Sequence, residues 1–396
     1  MRGLRKGGKD MEKTHTREQL QEMWQRPPER QIAVAQAKIL EAIVKSDGKI
    51  RISWSGGKDS TFLLYLYYST IKDLPQYKNL PVKVIFADTT NESKQIYKFI
   101  QFYPSWLENK FGIKMELTTV KPEKSYIEGG RRKRRPTTMI EVVKECGIPM
   151  LSKEIAEKIK HITKAMTQAG IKFVDIKDFL RPTFENRDYL FSLGLNKTAV
   201  RFLIGWSAAA KEFRQRAVLS KKYLPFLWEG APRISDECCT YLKKRPIEKL
   251  KHNGVTMTGE MAEESALRTQ KYLNTGCNGA ILTNGTGVSK PLGAMTNQAM
   301  LYGIRMFGIP MSEDYGDVVE NAKGLRCSGE QRTGCVLCGF GIMYDWDRFI
   351  RLIELEPAKV KYAFTPKELG GLGYLEVCEY VNKYCKGKIQ IPTFLQ

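Results

Sequence analysis

The sequence predicts an α/β fold: a doubly wound parallel sheet with a helical insertion and a C-terminal region that carries a cysteine cluster. Three observations lead there. Short β-branched runs alternate with longer helical stretches across residues 50–120, the pattern of strand–helix–strand units whose strands lie parallel. A glycine-rich turn, Ser55-Gly-Gly-Lys-Asp-Ser60, joins the first strand directly to a helix. A second polar segment, Asp88-Thr-Thr-Asn-Glu92, follows the next strand. Both therefore fall at strand carboxyl ends, where such sheets bind ligands.

In chain order, residues 1–30 read as a polar arm. A helix follows from about Glu29 to Lys45, with Ile32, Ile39, Leu40 and Ile43 on one face and Gly48 ending it. The run Ile50-Arg-Ile-Ser-Trp54 is the first strand, and Thr61-Phe-Leu-Leu-Tyr-Leu-Tyr-Tyr68 continues the helix that the glycine turn opens. Val82–Ala87 is the second strand, a helix runs on to about Lys110, and a third strand spans Met115 to Val120. Residues 136–230 are largely helical, interrupted near Arg181-Pro182. Val255–Thr258 reads as a further strand leading into Gly259–Arg268, and a helix runs from about Asn297 to Phe307. The last hundred residues hold the cysteine cluster and two more helices. These elements divide the chain into an arm and N-terminal helix (1–47), a central α/β domain (48–300) with its insertion at about 136–230, and a C-terminal region (301–396).

With 42% hydrophobic residues in 396, a sizeable core is available. No apolar run approaches the roughly 18 residues of a membrane span, and Met1 to Arg17 lacks the apolar core of a secretory signal. A cytoplasmic protein without membrane association is expected. The formal charge of +21 asks for a polyanionic partner, and a nucleic-acid backbone suits it, because each cation that meets a phosphate releases counterions. The charge is concentrated in Met1–Lys13 and in Arg131-Arg-Lys-Arg-Arg135. That second run is either a phosphate contact or a solvated loop.

The turn at 55–60 has the composition of an anion cradle. Gly56 and Gly57 let backbone N–H groups approach a phosphate, Lys58 adds a cation, Ser55 and Ser60 add hydroxyl donors, and the helix N-terminus adds partial positive charge. Asp59 is an acid beside that anion, which suits it to bracing the loop or holding Mg²⁺. The spacing is not that of a Walker loop, whose two glycines stand four residues apart.

Nine cysteines and only three histidines point to thiolate chemistry rather than to histidine-based sites. Cys335-Val-Leu-Cys338 is a CxxC between small residues, and Cys238-Cys239 is a tandem pair upstream. Together they supply the thiolates of a 4Fe–4S cluster or a Cys₄ zinc site. A tandem pair crowds one tetrahedral ion and fits a larger cubane better. Cys277 and Cys327 are competing ligands, whereas Cys146, Cys378 and Cys385 lie on apolar helical stretches and read as core.

Laid in order, these segments resemble the phosphoadenosine phosphosulfate reductase family over about residues 48–385. The matching pieces are the 55–60 loop, Asp88-Thr89, Ile148–Glu154, Cys238-Cys239 with Lys243-Lys244 and Pro246, Thr258-Gly-Glu-Met-Ala-Glu-Glu-Ser265 with Arg268, Gly276-Cys-Asn278, Ser289–Leu292 and Arg332–Cys338. The loop itself looks like the PP-loop of the ATP pyrophosphatases. The resemblance implies an adenine-nucleotide α-hydrolase-like, Rossmann-like fold. It also implies ATP bound by Ser55, Gly56, Gly57, Lys58, Asp59, Ser60, Asp88 and Thr89. Lys58, Asp59 and Arg268 become the catalytic group, with Mg²⁺ on Asp59 or Asp88, and Arg268 anchored by Glu263 or Glu264. Family members with a cluster pair a tandem Cys-Cys with a distant CxxC, which implies a 4Fe–4S cluster on Cys238, Cys239, Cys335 and Cys338, with Cys277 as the alternative ligand.

Two departures shape the functional expectation. Assimilatory reductases of this family have a degraded loop, and here it is intact. They also end in a Glu-Cys-Gly tail, whereas this chain ends Ile391–Gln396 and its Glu-Cys-Gly is internal at 145–147. The chain is similar instead to the ATP-using sulfur-modification branch, which includes tRNA thiolation and DNA phosphorothioation enzymes. An adenylating ATP pyrophosphatase is therefore expected, acting in sulfur transfer to DNA or tRNA with a sulfur donor such as a cysteine desulfurase. Two alternatives stand beside it. One is a phosphoadenylyl-sulfate reductase completed by thioredoxin; the other is a non-catalytic nucleic-acid-binding regulator.

Overall fold

The computed structural model describes residues 14–78, 80–340, 342, 346–387, 389 and 391. The basic stretch Met1–Lys13 lies outside them. The chain forms two compact units, one of Asp10–Pro122 with Arg245–Cys335, the other containing Glu123–Lys244 and Val336–Gln396. This division differs from the expected one. Residues 301–335 complete the first unit because Tyr315, Cys327 and the helix Asn297–Met306 pack into its core, while the inserted segment begins at Glu123 and joins the C-terminal helices.

The first unit holds a five-stranded sheet of Ile50–Ser53, Val82–Ala87, Met115–Val120, Val255–Met257 and Gly287–Ser289. In chain numbering its spatial order is fifth, fourth, first, second, third, and every pairing is parallel. The order reverses at the first strand, so the crevice beside its carboxyl end is the switch point where an open parallel sheet admits a ligand. Burial explains the composition. Ile50 and Ile52 are buried, as are Val82, Val84, Ile85 and Phe86, the near-continuous apolar pattern of strands covered on both faces.

Helices Pro28–Lys45, Lys58–Ile71, Lys94–Phe111 and Asn297–Met306 cover the sheet. The first buries Ile32, Ala35, Ile39, Ala42 and Ile43 at three- and four-residue spacing. Leu40, which periodicity grouped with them, is exposed. Gly303 lets helices approach closely, since a Cβ there would stand 2.7 Å from the Phe62 ring and 3.1 Å from Ile32. Within the expected polar arm, Arg17–Gln25 is helical, closed by a capping box in which Thr16 and Gln19 exchange backbone–side-chain hydrogen bonds.

The second unit is mainly helical, through Met139–Cys146, Lys153–Ala169, Phe184–Ser192 and Lys197–Ile204, and then Trp346–Leu355, Pro357–Phe364 and Tyr374–Tyr384. Among the described residues, three C-terminal helices thus stand where two were expected. Met150–Leu151 pairs in parallel with Gly339–Phe340. Glu123–Glu128 and Arg131–Pro136 form an antiparallel hairpin, so the basic run is a strand and not a loop. Among the described residues no helix is long and apolar enough to cross a membrane.

Candidate active site

The turn after the first strand is held by its own hydroxyls. The Ser55 N–H donates to Ser60 Oγ at 3.2 Å, the Ser60 hydroxyl donates to the Gly57 carbonyl at 3.0 Å, and the two serine hydroxyls lie 3.1 Å apart. Gly56 takes φ +74°, and a Cβ there would meet Ile96 at 3.1 Å, so both conformation and space favour glycine. Trp54, buried beneath, donates its indole N–H to Thr61 Oγ1 at 3.0 Å. The helix then starts at Lys58 with Gly57 as its cap and no capping side chain. Its first-turn N–H groups are thereby left for another acceptor. Tyr315 takes one of them, since the Lys58 N–H donates to its hydroxyl at 3.1 Å. That hydroxyl also lies 2.8 Å from Thr333 Oγ1, and burial pushes it up to about 12.

Lys58 is buried, and its ammonium reaches Asp59 Oδ1 at 2.8 Å. A buried cation needs such a partner. The pair leaves one Asp59 oxygen for a hard cation, whose preferred ligands are carboxylate oxygens. Gly259, after the fourth strand, lies directly on the loop: a Cβ there would stand 2.9 Å from the backbone of Asp59 and Ser60. The adjoining Thr258 has a buried hydroxyl oxygen with no hydrogen-bond partner among the described residues.

At the end of the second strand Asp88 is buried, with Oδ1 accepting from the Thr90 N–H at 2.8 Å and from the Tyr97 hydroxyl at 2.6 Å. Thr89 is fully buried and donates to Glu92 Oε1 at 2.7 Å. Both expected binding residues therefore build the second strand's terminal loop. Asp88 is largely committed to bracing it, which makes Asp59 the freer carboxylate. Arg268 pairs with Glu264, whose Oε1 also accepts from the Met261 N–H at 3.0 Å. Glu263 instead caps the helix at Asn297. Of the two anchors open in the sequence, the structure selects Glu264.

The cysteines fall in both units. Cys335, at the end of the first, donates its thiol to Thr89 Oγ1 at 3.4 Å. Cys327 is buried beside Lys58 and Asp59, and burial raises its thiol despite the nearby ammonium. Cys277 is a core residue; its Sγ faces the Pro291 carbonyl at 3.8 Å and burial pushes it up to about 11. In the second unit, the hydrogen bond from Cys238 brings Cys239 down to about 6. Burial opposes this shift, and Lys153 and Lys243 assist it. Cys338 is held up by burial and by the charge of Cys239. These thiols have the donor chemistry of a thiolate-bound metal. Among the described residues, however, no three His, Cys, Asp or Glu side chains are gathered to hold a metal ion.

Sequence reasoning missed Tyr315 and Thr333, which complete the loop from more than 250 residues away. No local pattern marks Tyr315, whereas Thr333 lies in the recognised segment Arg332–Cys338, although its contact with the loop did not show. Gly259 lay within a recognised segment, although its packing role did not show.

Residues 49–178 match the family model for the phosphoadenosine phosphosulfate reductase domain. No curated protein matches the chain. Among solved structures, the chain is similar to a crystal structure of phosphoadenylyl-sulfate (PAPS) reductase from Candida auris in its phosphate complex, at 12% identity, 76% of this chain, 91% of that chain and a TM-score of 0.30.

Proposed function

From a chain whose residues 49–178 match a phosphoadenosine phosphosulfate reductase domain, we propose an ATP pyrophosphatase that adenylates an acceptor for sulfur transfer, with a nucleic acid as that acceptor. The observation that carries this reading is the complete loop at the switch point: paired serine hydroxyls, a helix start without a capping side chain at Gly57, and buried Lys58 paired with half-buried Asp59. A triphosphate tail uses each of these features. The orphaned Thr258 hydroxyl beside the loop is a further polar atom available to a bound nucleotide.

The outer phosphates of ATP rest on Ser55–Ser60, with Lys58 neutralising charge and Asp59 holding Mg²⁺. An acceptor oxygen attacks the α-phosphorus. As that P–O bond forms, the bridging bond to the β-phosphorus breaks and pyrophosphate departs. A sulfide-level sulfur, supplied by a donor system such as a cysteine desulfurase with a thiol reductant, then displaces AMP. Positioning and charge neutralisation by Lys58 and Arg268 carry the catalysis. No step is routed through the 4Fe–4S cluster expected on Cys238, Cys239, Cys335 and Cys338, because the described residues gather no three side chains to hold a metal ion.

The family match itself favours a second reading, a sulfonucleotide reductase in which a cysteine attacks the sulfur of phosphoadenylyl sulfate. One experiment separates them. The protein is incubated with ATP and Mg²⁺, and separately with phosphoadenylyl sulfate and a dithiol. AMP and pyrophosphate from the first reaction support the pyrophosphatase; sulfite from the second, with no ATP cleavage, overturns it.

A further inference from the structure

The run Arg131–Arg135 is one strand of a two-stranded ribbon, and its register sorts the cations onto two unlike faces. Gly129 and Gly130 form the turn with φ of +57° and +71°, the positive values that a tight two-residue hairpin turn demands. Pairing sets Glu128 opposite Arg131, Tyr126 opposite Lys133 and Lys124 opposite Arg135 on one face. That face is largely neutralised: Lys133 pairs with Glu128, Lys124 with Glu145, and Arg135 with Glu141 at 3.0 Å. On the other face Ile127 stands opposite Arg132 and Ser125 opposite Arg134. Neither Arg132 nor Arg134 makes an ion pair among the described residues. The one carboxylate on that face, Glu123, lies at the base opposite Pro136. Ile127, opposite Arg132, is 78% exposed, a large apolar side chain left in water near the tip of the hairpin.

We propose that this face docks onto duplex DNA, with the ribbon lying in the major groove. The inference rests on the reading above and names its acceptor. Charge supports it, since the hairpin carries six Lys and Arg against two Glu and its unpaired arginines face outward. Shape supports it too. Strands of six residues extend about 20 Å, and a groove about 12 Å wide admits a two-stranded ribbon. The major groove of an RNA duplex is too deep and narrow to do so. Arg132 and Arg134 take phosphates or guanine edges. Ile127 meets the groove floor, where thymine methyl groups offer apolar contact.

The test measures binding of the full chain, without nucleotide, to a fluorescent 30-base-pair DNA duplex across a salt series. A matched RNA duplex and a single strand run beside it. DNA duplex is expected to bind most tightly. Arg132→Ala/Arg134→Ala should make the slope of log affinity against log salt shallower by about 2, whereas Lys133→Ala/Arg135→Ala should change it less. Circular dichroism checks the fold of each variant, and Arg132→Gln/Arg134→Gln replaces the alanine pair if that pair is unfolded. An unchanged slope in a folded variant overturns the proposal. Equal or tighter binding of RNA duplex or single strand does so as well, as does an equal loss from the opposite face. Nucleotide uptake is measured separately, so failure of the ribbon and failure of the loop give different results.

Discussion

The Lys58 N–H and the Tyr315 hydroxyl form a 3.1 Å hydrogen bond that brings residues 257 apart onto the first turn of one helix. Tyr315 is buried, and its oxygen also accepts from the Thr333 N–H at 3.3 Å. The segment after the sheet therefore finishes the loop that begins it.

Tyr315→Phe removes the oxygen and leaves the buried Lys58 N–H and the half-buried Thr333 N–H without that partner. Each such loss costs about 1–3 kcal/mol, so the variant should unfold at lower denaturant concentration while keeping its helix content. Nucleotide affinity should fall as well, because the helix start loses its brace. Denaturant melts and calorimetry read both effects, and a variant as stable as the parent contradicts the assignment.

Gly259→Ala places a methyl group 2.9 Å from the backbone of Asp59 and Ser60. Backbone cannot swing away as a side-chain tip can, so the loop must shift. Overpacking of this kind costs about 1–3 kcal/mol. The expected result is a marked loss of ATP affinity, larger than that from Gly170→Ala at a helix end where a Cβ meets nothing within 4 Å. Equal behaviour of the two would rule out contact between Gly259 and a working loop.

Glu41 links stability to pH. Burial resists its ionisation, but hydrogen bonds from Lys38 at 2.7 Å and Lys45 at 2.6 Å prevail and hold it at about 2, below the ordinary 4.5. A depressed carboxyl stabilises the fold above its unfolded value, and the contribution is lost as pH falls from about 4.5 towards 2. Glu41→Gln should lower stability at pH 6 and differ little from the parent near pH 2. A constant difference across that window would contradict the linkage.

Much of the first unit was legible because its strands are short apolar runs and its helices amphipathic. Val82–Ala87 and Met115–Val120 appear where β-branched residues place them. The hairpin escaped because its strands have no apolar face to alternate with a polar one, although Gly129-Gly130 between two polar runs was a turn signal. The Arg17–Gln25 helix was masked by polar composition despite its Thr16–Gln19 box. Within the site, the Ser55–Ser60 loop could be read from local spacing. Tyr315 and Thr333 could not, since tertiary packing alone brings them there.

The central claim is that Ser55–Ser60 holds the outer phosphates of ATP, and calorimetric titration of the folded chain with ATP, AMP and pyrophosphate in the presence of magnesium tests it most directly. The account predicts that ATP and pyrophosphate bind, that AMP binds far more weakly, and that Lys58→Ala abolishes the difference by removing the buried ammonium. Equal affinity for ATP and AMP, or no heat from either ATP or pyrophosphate, would contradict it.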